Sequence, residues 1–458
     1  MSLLRTHRPL SRIGGVDLMD LPNISTVVAS AGAGKTYRIV EEIAAEVAKR
    51  DPEQIVATTF TVKAAAELIE RSRAKLFETG QADKAGRLLG ARFGTVNSIC
   101  GQIVAEHAIA LGRSPRAEVI PEGSMGRLFA IAADVAIGRH ASTLNEVGEA
   151  FGLFEPRRPT EVDNVDWRTT VRRIIELARA NGIAADQLQH SAERSMETFL
   201  QLLPPPAVDG AESLDAALAA AVKAAVNTIP LDVSATAAKH VELLRRACAA
   251  QGRGEHLSWP DWARLTKITC AKKDGPILNS AFEAVMRAAG RHPEHPRLRD
   301  HCQTYIRTLF ACAAEALSAY QGYKAQRGLL DFIDQEALTL DVLRDPYMSA
   351  RLGERIGRLF VDEFQDSSPL QIAIFTAMAP LVDKSTWVGD PKQAIYGFRN
   401  ADSALTQAAF AGVAALSDAP LDVLAKSYRS RDGIIQFVNA AFPPALGGVD
   451  KFAHPQPD

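Results

Sequence analysis

Residues 29–36 read Ala29-Ser30-Ala31-Gly32-Ala33-Gly34-Lys35-Thr36, directly after the apolar run Ile24-Ser25-Thr26-Val27-Val28 and before a helical pattern that begins at Tyr37. Glycines at 32 and 34 let a tight loop turn its backbone N–H groups towards one point, and the following helix aims its positive dipole end there too. A phosphate chain is the ligand for such a cradle, with all eight residues as candidate contacts. Lys35 would reach the β- and γ-phosphates, and the Thr36 hydroxyl would help to hold Mg²⁺. The first position of the usual pattern is Ala29 here instead of glycine. A strand that feeds a phosphate loop and then a helix also constrains the fold, because it builds a parallel α/β sheet.

The rest of the chain fits that frame. Segment 55–60 reads as a buried strand, 63–77 carries apolar residues at helical spacing, and 92–96 leads into a helix from Asn97. Between about 115 and 325 the character changes to Ala, Leu, Arg and Glu with helical periodicity at 125–137, 167–180 and 213–226. Breaks fall at Pro204-Pro205-Pro206, around Gly252-Arg253-Gly254, and near Pro293-Glu294-His295-Pro296. This stretch predicts a helical insertion with Pro-rich turns between its helices. From 356 the α/β pattern returns, with strands at 356–361 and 385–389, a helix at 370–379, and one more strand and helix within 421–442.

Composition excludes several classes. The chain has 458 residues, enough for two or three domains, of which 47% are hydrophobic and 23% charged. No apolar run is long enough to span a bilayer, and the N-terminus lacks the apolar core of a signal peptide, so no membrane partner is expected. Cysteines 100, 248, 270, 302 and 312 are scattered without a C-x-x-C pair. They predict reduced thiols in a cytoplasmic protein, not a disulfide framework, a zinc site or an iron–sulfur cluster. A net charge of −2 gives no global signature of nucleic-acid binding, which would need a local basic channel.

A second motif completes the first. Arg358-Leu359-Phe360-Val361-Asp362-Glu363-Phe364-Gln365-Asp366 places two carboxylates at the carboxyl end of an apolar strand, where α/β sheets present their ligands. Asp362 is the candidate Mg²⁺ ligand, and Glu363 the residue that orients the water attacking the γ-phosphorus.

With these residues in place, the chain resembles superfamily 1 helicases of the UvrD/Rep type. Asp-Glu-Phe-Gln-Asp at 362–366 is similar to their second motif, and Val388-Gly389-Asp390-Pro391-Lys392-Gln393-Ala394-Ile395-Tyr396-Gly397-Phe398-Arg399 to their third. Thr59-Phe60-Thr61-Val62-Lys63-Ala64-Ala65, Gly94-Thr95-Val96-Asn97-Ser98, Asp331-Phe332-Ile333-Asp334 and Ser427-Tyr428-Arg429-Ser430 match further family segments in order. The resemblance implies a RecA-like P-loop ATPase fold, an α/β domain whose parallel sheet is interrupted by a large helical insertion. It divides the chain into 1–114 and 326–415 for the ATP-binding domain, 115–325 for the insertion, and 416–458 for the beginning of a second RecA-like domain. The implied activity is ATP-driven translocation on single-stranded DNA, 3′ to 5′, with separation of duplexes in recombination or repair. ATP and Mg²⁺ are the implied cofactors. Single strands and duplex junctions are the implied partners, together with a second nuclease–helicase subunit.

Roles carry over by position. Lys35, Glu363, Gln393 and Arg429 are implied in catalysis, Gln393 sensing the γ-phosphate and Arg429 contacting it across a domain cleft. Tyr428 is implied to stack on adenine. Phe60, Thr61, Lys63, Thr95, Asn97, Tyr396, Phe398 and Arg399 are implied in DNA binding; aromatic platforms hold single strands with little sequence preference. No glutamine precedes Ile24, and Tyr37 stands where the family often has arginine, which brings the loop closer to the RecB/AddA branch of helicase–nuclease complexes. Val62, Asn97 and Ser427 replace Asn, His and Asn of the family pattern. Nothing after Phe442 matches the fifth and sixth motifs, which predicts a chain truncated after the fourth motif that binds ATP and hydrolyses it weakly by itself. The alternative is a non-motor, ATP-dependent DNA-binding or regulatory protein; a kinase-type P-loop transferase leaves the second and third motifs without a role.

Overall fold

Strands form where β-branched and apolar residues cluster between turn residues. The computed structural model describes residues 12–13, 16–17, 23–29, 32–154, 166–230, 233–271, 274–390, 393–394, 403–416, 422–424 and 428–445. In chain order these hold β1 (Arg12–Ile13), β2 (Val16–Asp17), β3 (Ile24–Ala29), α1 (Lys35–Val47), β4 (Ile55–Thr59), α2 (Val62–Glu78), α3 (Ala82–Arg87), β5 (Arg92–Thr95), α4 (Val96–Glu106) and β6 (Glu118–Val119). Next come α5 (Glu122–Ala150), α6 (Trp167–Ala180), α7 (Leu188–Leu200), α8 (Gly210–Thr228), α9 (Ala235–Gly252), α10 (Trp259–Leu265), α11 (Gly275–Ala289) and α12 (Pro296–Arg327). The chain continues with β7 (Leu329–Leu330), α13 (Phe332–Arg344), α14 (Pro346–Gly353), β8 (Arg358–Val361), α15 (Pro369–Met378), β9 (Lys384–Gly389), α16 (Ser403–Leu416), β10 (Asp422–Leu424) and α17 (Asp432–Ala445).

The described residues divide into two units, one within 1–125, 179–182 and 324–458, the other within 126–178 and 183–323. The first contains a six-stranded sheet in the order β10-β3-β9-β8-β4-β5, parallel throughout. Alternate residues of its central strands face opposite sides, as the pleat requires. Val56, Leu359, Val361 and Trp387 join a core with α4, α13, α14, α15 and α16. Ile55, Ala57, Phe360, Val388 and Val27 join the core under α1 and α2. Covering both faces is what a parallel sheet needs, and the α/β expectation is met.

The second unit is helical in all its described elements. One of its cores gathers Trp259, Trp262 and Phe282 with α8 and α9; another gathers Trp167, Cys312 and Leu317. The Pro- and Gly-rich breaks at 204–206, 252–254 and 293–296 fall at helix ends or between helices, since Pro removes an N–H donor and Gly offers αL backbone.

Two details depart from the segmentation expected from sequence. Residues 179–182, at the end of α6, belong with the sheet-bearing unit. The strand expected to open a second domain, β10, instead extends the same sheet, with Asp422, Val423 and Leu424 in register with Val27, Val28 and Ala29. Its edge position is the physical reason: β3 would otherwise leave a row of unpaired backbone groups beside the phosphate loop.

Trp387 anchors one face of the sheet. It is fully buried, stacks on Phe364 at 4.5 Å between ring centroids, and donates its indole N–H to Ser385 Oγ at 2.9 Å. Trp387→Ala should therefore lower unfolding free energy by about 3–5 kcal/mol in urea titration. Val62→Ala, at a site 76% exposed, should stay within about 0.5 kcal/mol. Equal effects would mean that this face does not hold the sheet.

Candidate nucleotide site and adjoining groove

Because all six strands run the same way, their carboxyl ends share one edge, and the motifs that follow β3, β4, β5, β8 and β9 meet there. Ala29 ends β3 fully buried, and Ala33 is buried in the loop. Gly32 and Gly34 have φ of 76° and 86°, a left-handed backbone that glycine adopts without a Cβ clash. Gly34 caps α1, so Lys35 and Thr36 start the helix whose N–H groups open onto the loop. Ser30 and Ala31 lie outside the described residues.

Lys35 Nζ donates to Glu363 Oε2 at 2.7 Å. Glu363 follows β8 with φ 52° and ψ 41°, the one non-glycine among the described residues with positive φ. Holding a bulky residue there costs about 1–3 kcal/mol, a strain that persists only when the surroundings fix it. Gln365 supplies that fixing. Its Nε2 donates to Glu363 Oε2 at 2.9 Å and to Asp366 Oδ2 at 3.1 Å, while its Oε1 accepts from the Asp390 N–H at 2.9 Å. Gly389 is needed for that approach, since a Cβ there would stand 2.6 Å from Gln365 Oε1. Gln393 donates its Nε2 to Asp390 Oδ2 at 2.6 Å, so the second and third motifs form one hydrogen-bonded chain.

Asp362 Oδ1 accepts the Glu363 N–H at 3.0 Å. Burial, and then the neighbouring Glu363 charge, push its carboxyl up to about 6; Lys35 and the backbone N–H offset only part of this. Tyr428 reaches the loop from the far end of the sequence. Its N–H donates to Gly32 O at 2.8 Å, and its ring lies 3.7 Å from where a Gly34 Cβ would be. Arg429 is exposed beside it.

Of the residues expected on DNA, Phe60, Thr95 and Asn97 come together in one groove of 230 Å³. Phe332, Glu336, Asp366 and Gln371 line it with them. Thr61 and Thr95 use their hydroxyls to cap α2 and α4, accepting from Ala64 N at 3.1 Å and Ser98 N at 3.2 Å. Lys63 is exposed in the first turn of α2 and does not line the groove. Tyr396, Phe398 and Arg399 lie outside the described residues.

Three features escape the residue-by-residue expectation. Gln365 sits inside the second motif yet takes its meaning from contacts with Glu363 and Asp390. Phe332 belongs to the Asp331-Phe332-Ile333-Asp334 element, whose wall-forming role is visible only once folded. Around it, Arg179 and Lys324 pair with both Asp331 and Asp334, Lys324 to Asp331 at 2.9 Å and Arg179 to Asp334 at 3.1 Å. Burial alone would raise Asp331; the two cations hold it well below the usual carboxylate range. Arg179 is 152 residues from Asp331 in sequence, so no local signal could have joined them.

Burial likewise raises Asp366 to about 6 and Glu336 to about 7, although Gln371 Nε2 donates to Glu336 Oε1 at 2.6 Å. Between about pH 4.5, the ordinary value, and 7 the folded chain keeps a proton on Glu336 that the unfolded chain has released. Stability therefore falls as pH rises through that window. Glu336→Gln should be more stable than the parent at pH 8, by about 1–3 kcal/mol, with the gap closing near pH 4.5. Denaturant titrations at the two pH values check this; a pH-independent gap would contradict it.

The chain matches the UvrD/REP helicase N-terminal domain over residues 19–410. Among curated relatives, an ATP-dependent helicase/nuclease subunit of Pelotomaculum thermopropionicum is 26% identical over 494 residues, which cover 92% of this chain and 38% of the relative. Its namesake from Levilactobacillus brevis is 26% identical over 495 residues, 93% of this chain and 38% of its own. That of Syntrophomonas wolfei is 25% identical over 469 residues, 93% and 37%. The chain thus spans less than two-fifths of the length of these relatives, and their names agree with the helicase–nuclease branch that its first motif resembles. With a phosphate loop, a strand-end Asp-Glu pair and a third-motif glutamine assembled on one parallel sheet, and a family match over most of its length, this chain belongs to the UvrD/REP helicase N-terminal domain family.

Proposed function

We propose that this chain is the ATP-binding portion of a DNA helicase or translocase that moves 3′ to 5′ on single-stranded DNA in recombination or repair. Its place is the cytoplasm, and its partner is a second nuclease–helicase subunit. The observation that carries the reading is the continuous chain Lys35–Glu363–Gln365–Asp366, which starts at the phosphate loop and ends in the wall of the groove.

In this reading the backbone N–H groups of residues 32–34 and the start of α1 bind the phosphates of ATP. Lys35 leaves Glu363 for the β- and γ-phosphates, and the freed Glu363 carboxylate orients the attacking water and accepts its proton. Asp362 and Thr36 are the residues that would hold Mg²⁺. The donor set fits: the Asp362 carboxyl is raised by burial, and a divalent cation is what restores its ionised form. Mg²⁺ held by these residues would neutralise charge on the β- and γ-phosphate oxygens. Tyr428, already against the loop, covers the base, and Arg429 beside it faces the γ-phosphate. Gln393 reports the state of the γ-phosphate through Asp390 to Gln365. The N-termini of α2 and α4, capped by Thr61 and Thr95, present N–H groups for the DNA backbone, with Lys63 adding charge. Phe60 and Phe332 offer ring faces to the bases, and the same role is proposed for Tyr396, Phe398 and Arg399, which lie outside the described residues.

In the intact protein that carries this chain, single-stranded DNA should strongly stimulate ATP hydrolysis. Lys35→Ala and Glu363→Gln should each lower the stimulated rate by about 10²-fold or more. Glu363→Gln keeps ATP affinity in equilibrium titration, and Lys35→Ala loses it. Gln365→Leu should keep both ATP and DNA binding while losing most of the stimulation. A normally folded parent whose ATPase ignores single-stranded DNA would overturn the motor reading.

A further inference from the structure

Arg358 opens β8 and is 1% exposed, a cation inside the core at the end of the sheet away from the phosphate loop. Its guanidinium lies 4.1 Å over the Phe360 ring. Nη1 donates to Lys384 O at 2.7 Å, and Nη2 donates to Thr386 Oγ1 at 2.6 Å and to Glu42 Oε2 at 2.8 Å. Thr386 gives its hydroxyl proton to the same Glu42 oxygen, at 3.3 Å. The other Glu42 oxygen accepts from Arg38 Nε at 2.8 Å, and Arg38 pairs with Asp422 of β10 at 3.1 Å. One carboxylate of α1 is thus tied to β8 and β9 within the core, and to β10 through a half-exposed arginine.

Stability alone does not account for this arrangement. A buried ion pair offsets its desolvation only with excellent geometry and complete hydrogen bonding, and apolar residues of similar volume often hold a core as well or better. Arg358 Nε has no hydrogen-bond partner, so this cation is not completely satisfied. What the pair does supply is register between the elements that carry the site. Glu42 lies two turns along α1 from Lys35, about 10 Å at the helical rise. Arg358 precedes Asp362 by four residues and Thr386 precedes Asp390 by four, each about 13 Å of strand. Three arms of similar length therefore run from one polar cluster to the first, second and third motifs. We propose that Glu42 and Arg358 are positioning residues of the nucleotide site: their pair fixes the height of α1 against β8 and β9, and with it the spacing between Lys35 and Glu363. The inference rests on the reading that ATP occupies the phosphate loop. The loop and the start of α1 supply their own N–H groups to the phosphates, so binding does not depend on that spacing. Hydrolysis does, because Lys35 and Glu363 must meet the same γ-phosphate.

The test separates folding, binding and turnover in the intact protein that carries this chain. Glu42→Leu combined with Arg358→Met replaces the pair by apolar side chains and should unfold at the same urea midpoint or a higher one. Its kcat for ATP should nevertheless fall about tenfold, the scale of a small misplacement of reacting groups. Affinity for a non-hydrolysable ATP analogue with Mg²⁺ should change less than about twofold, because the cradle is local. Arg358→Lys keeps the charge, and so the fold, but a single ammonium lacks the fork that spans Glu42, Thr386 and Lys384. It should lower kcat about threefold at unchanged analogue affinity. An unchanged kcat in either folded variant overturns the inference, as does a loss of analogue affinity in step with kcat. A wild-type protein that binds no ATP overturns the reading beneath it.

Discussion

Everything at the functional edge depends on parallel pairing of β3 with β9. Val27 and Val28 sit in register with Val388 and Gly389, and β9 pairs in turn with β8. That register makes the phosphate loop, the Asp362–Glu363 pair and Asp390 leave the sheet at one edge, although 328 positions separate Lys35 from Glu363. A slip of one residue would turn each strand over and exchange its two apolar faces, so the two-sided core enforces the register. Trp387 and Phe364 on one face, and Phe360 and Val388 on the other, are the side chains that make such a slip costly.

On that frame the site gathers its charge and its one unusual backbone conformation into a small number of groups. Glu363 is held in a left-handed conformation, Asp362 and Asp366 have carboxyls raised to about 6, and Lys35 is paired with Glu363. Gln365 stands at the junction, with one face on Glu363 and Asp366 and the other on the Asp390 backbone. Three hydrogen bonds, from Lys35 to Glu363 and from Gln365 to Glu363 and Asp366, connect the phosphate loop to the wall of the groove. The charged cluster of Arg179, Lys324, Asp331 and Asp334 steadies the opposite wall, because a buried carboxylate pair flanked by two cations has few other arrangements of comparable energy.

Much of this was legible in residues alone where chemistry and spacing are local. Gly32, Gly34, Lys35 and Thr36 declare a phosphate loop because the backbone geometry that binds phosphate needs glycine at defined positions. Asp362 and Glu363 stand out as an acidic pair because they end an apolar strand. The helical insertion was readable from its periodicity and its Pro- and Gly-rich breaks. Less legible were the parts decided by distance. β10 looked like the start of another domain, since nothing in Asp422-Val423-Leu424 says which strand it will pair with. Phe332 was legible only as part of a family segment, and nothing local to Glu336 says that it will line the same groove.

The sequence by itself determined the alternation of strands and helices, the phosphate loop, the acidic pair and the family to which they belong. These follow from local backbone preference and from side-chain chemistry at short range. Only the tertiary structure decided that Gln365 would bridge Glu363 to Asp390, that Arg179 would close on Asp331, and that Phe60, Asn97, Phe332 and Asp366 would line one groove. Gln365 and Asp390 are 25 positions apart, and Arg179 and Asp331 are 152 apart. Such contacts arise because strand order, fixed by burial on both faces of the sheet, chooses which distant ends become neighbours.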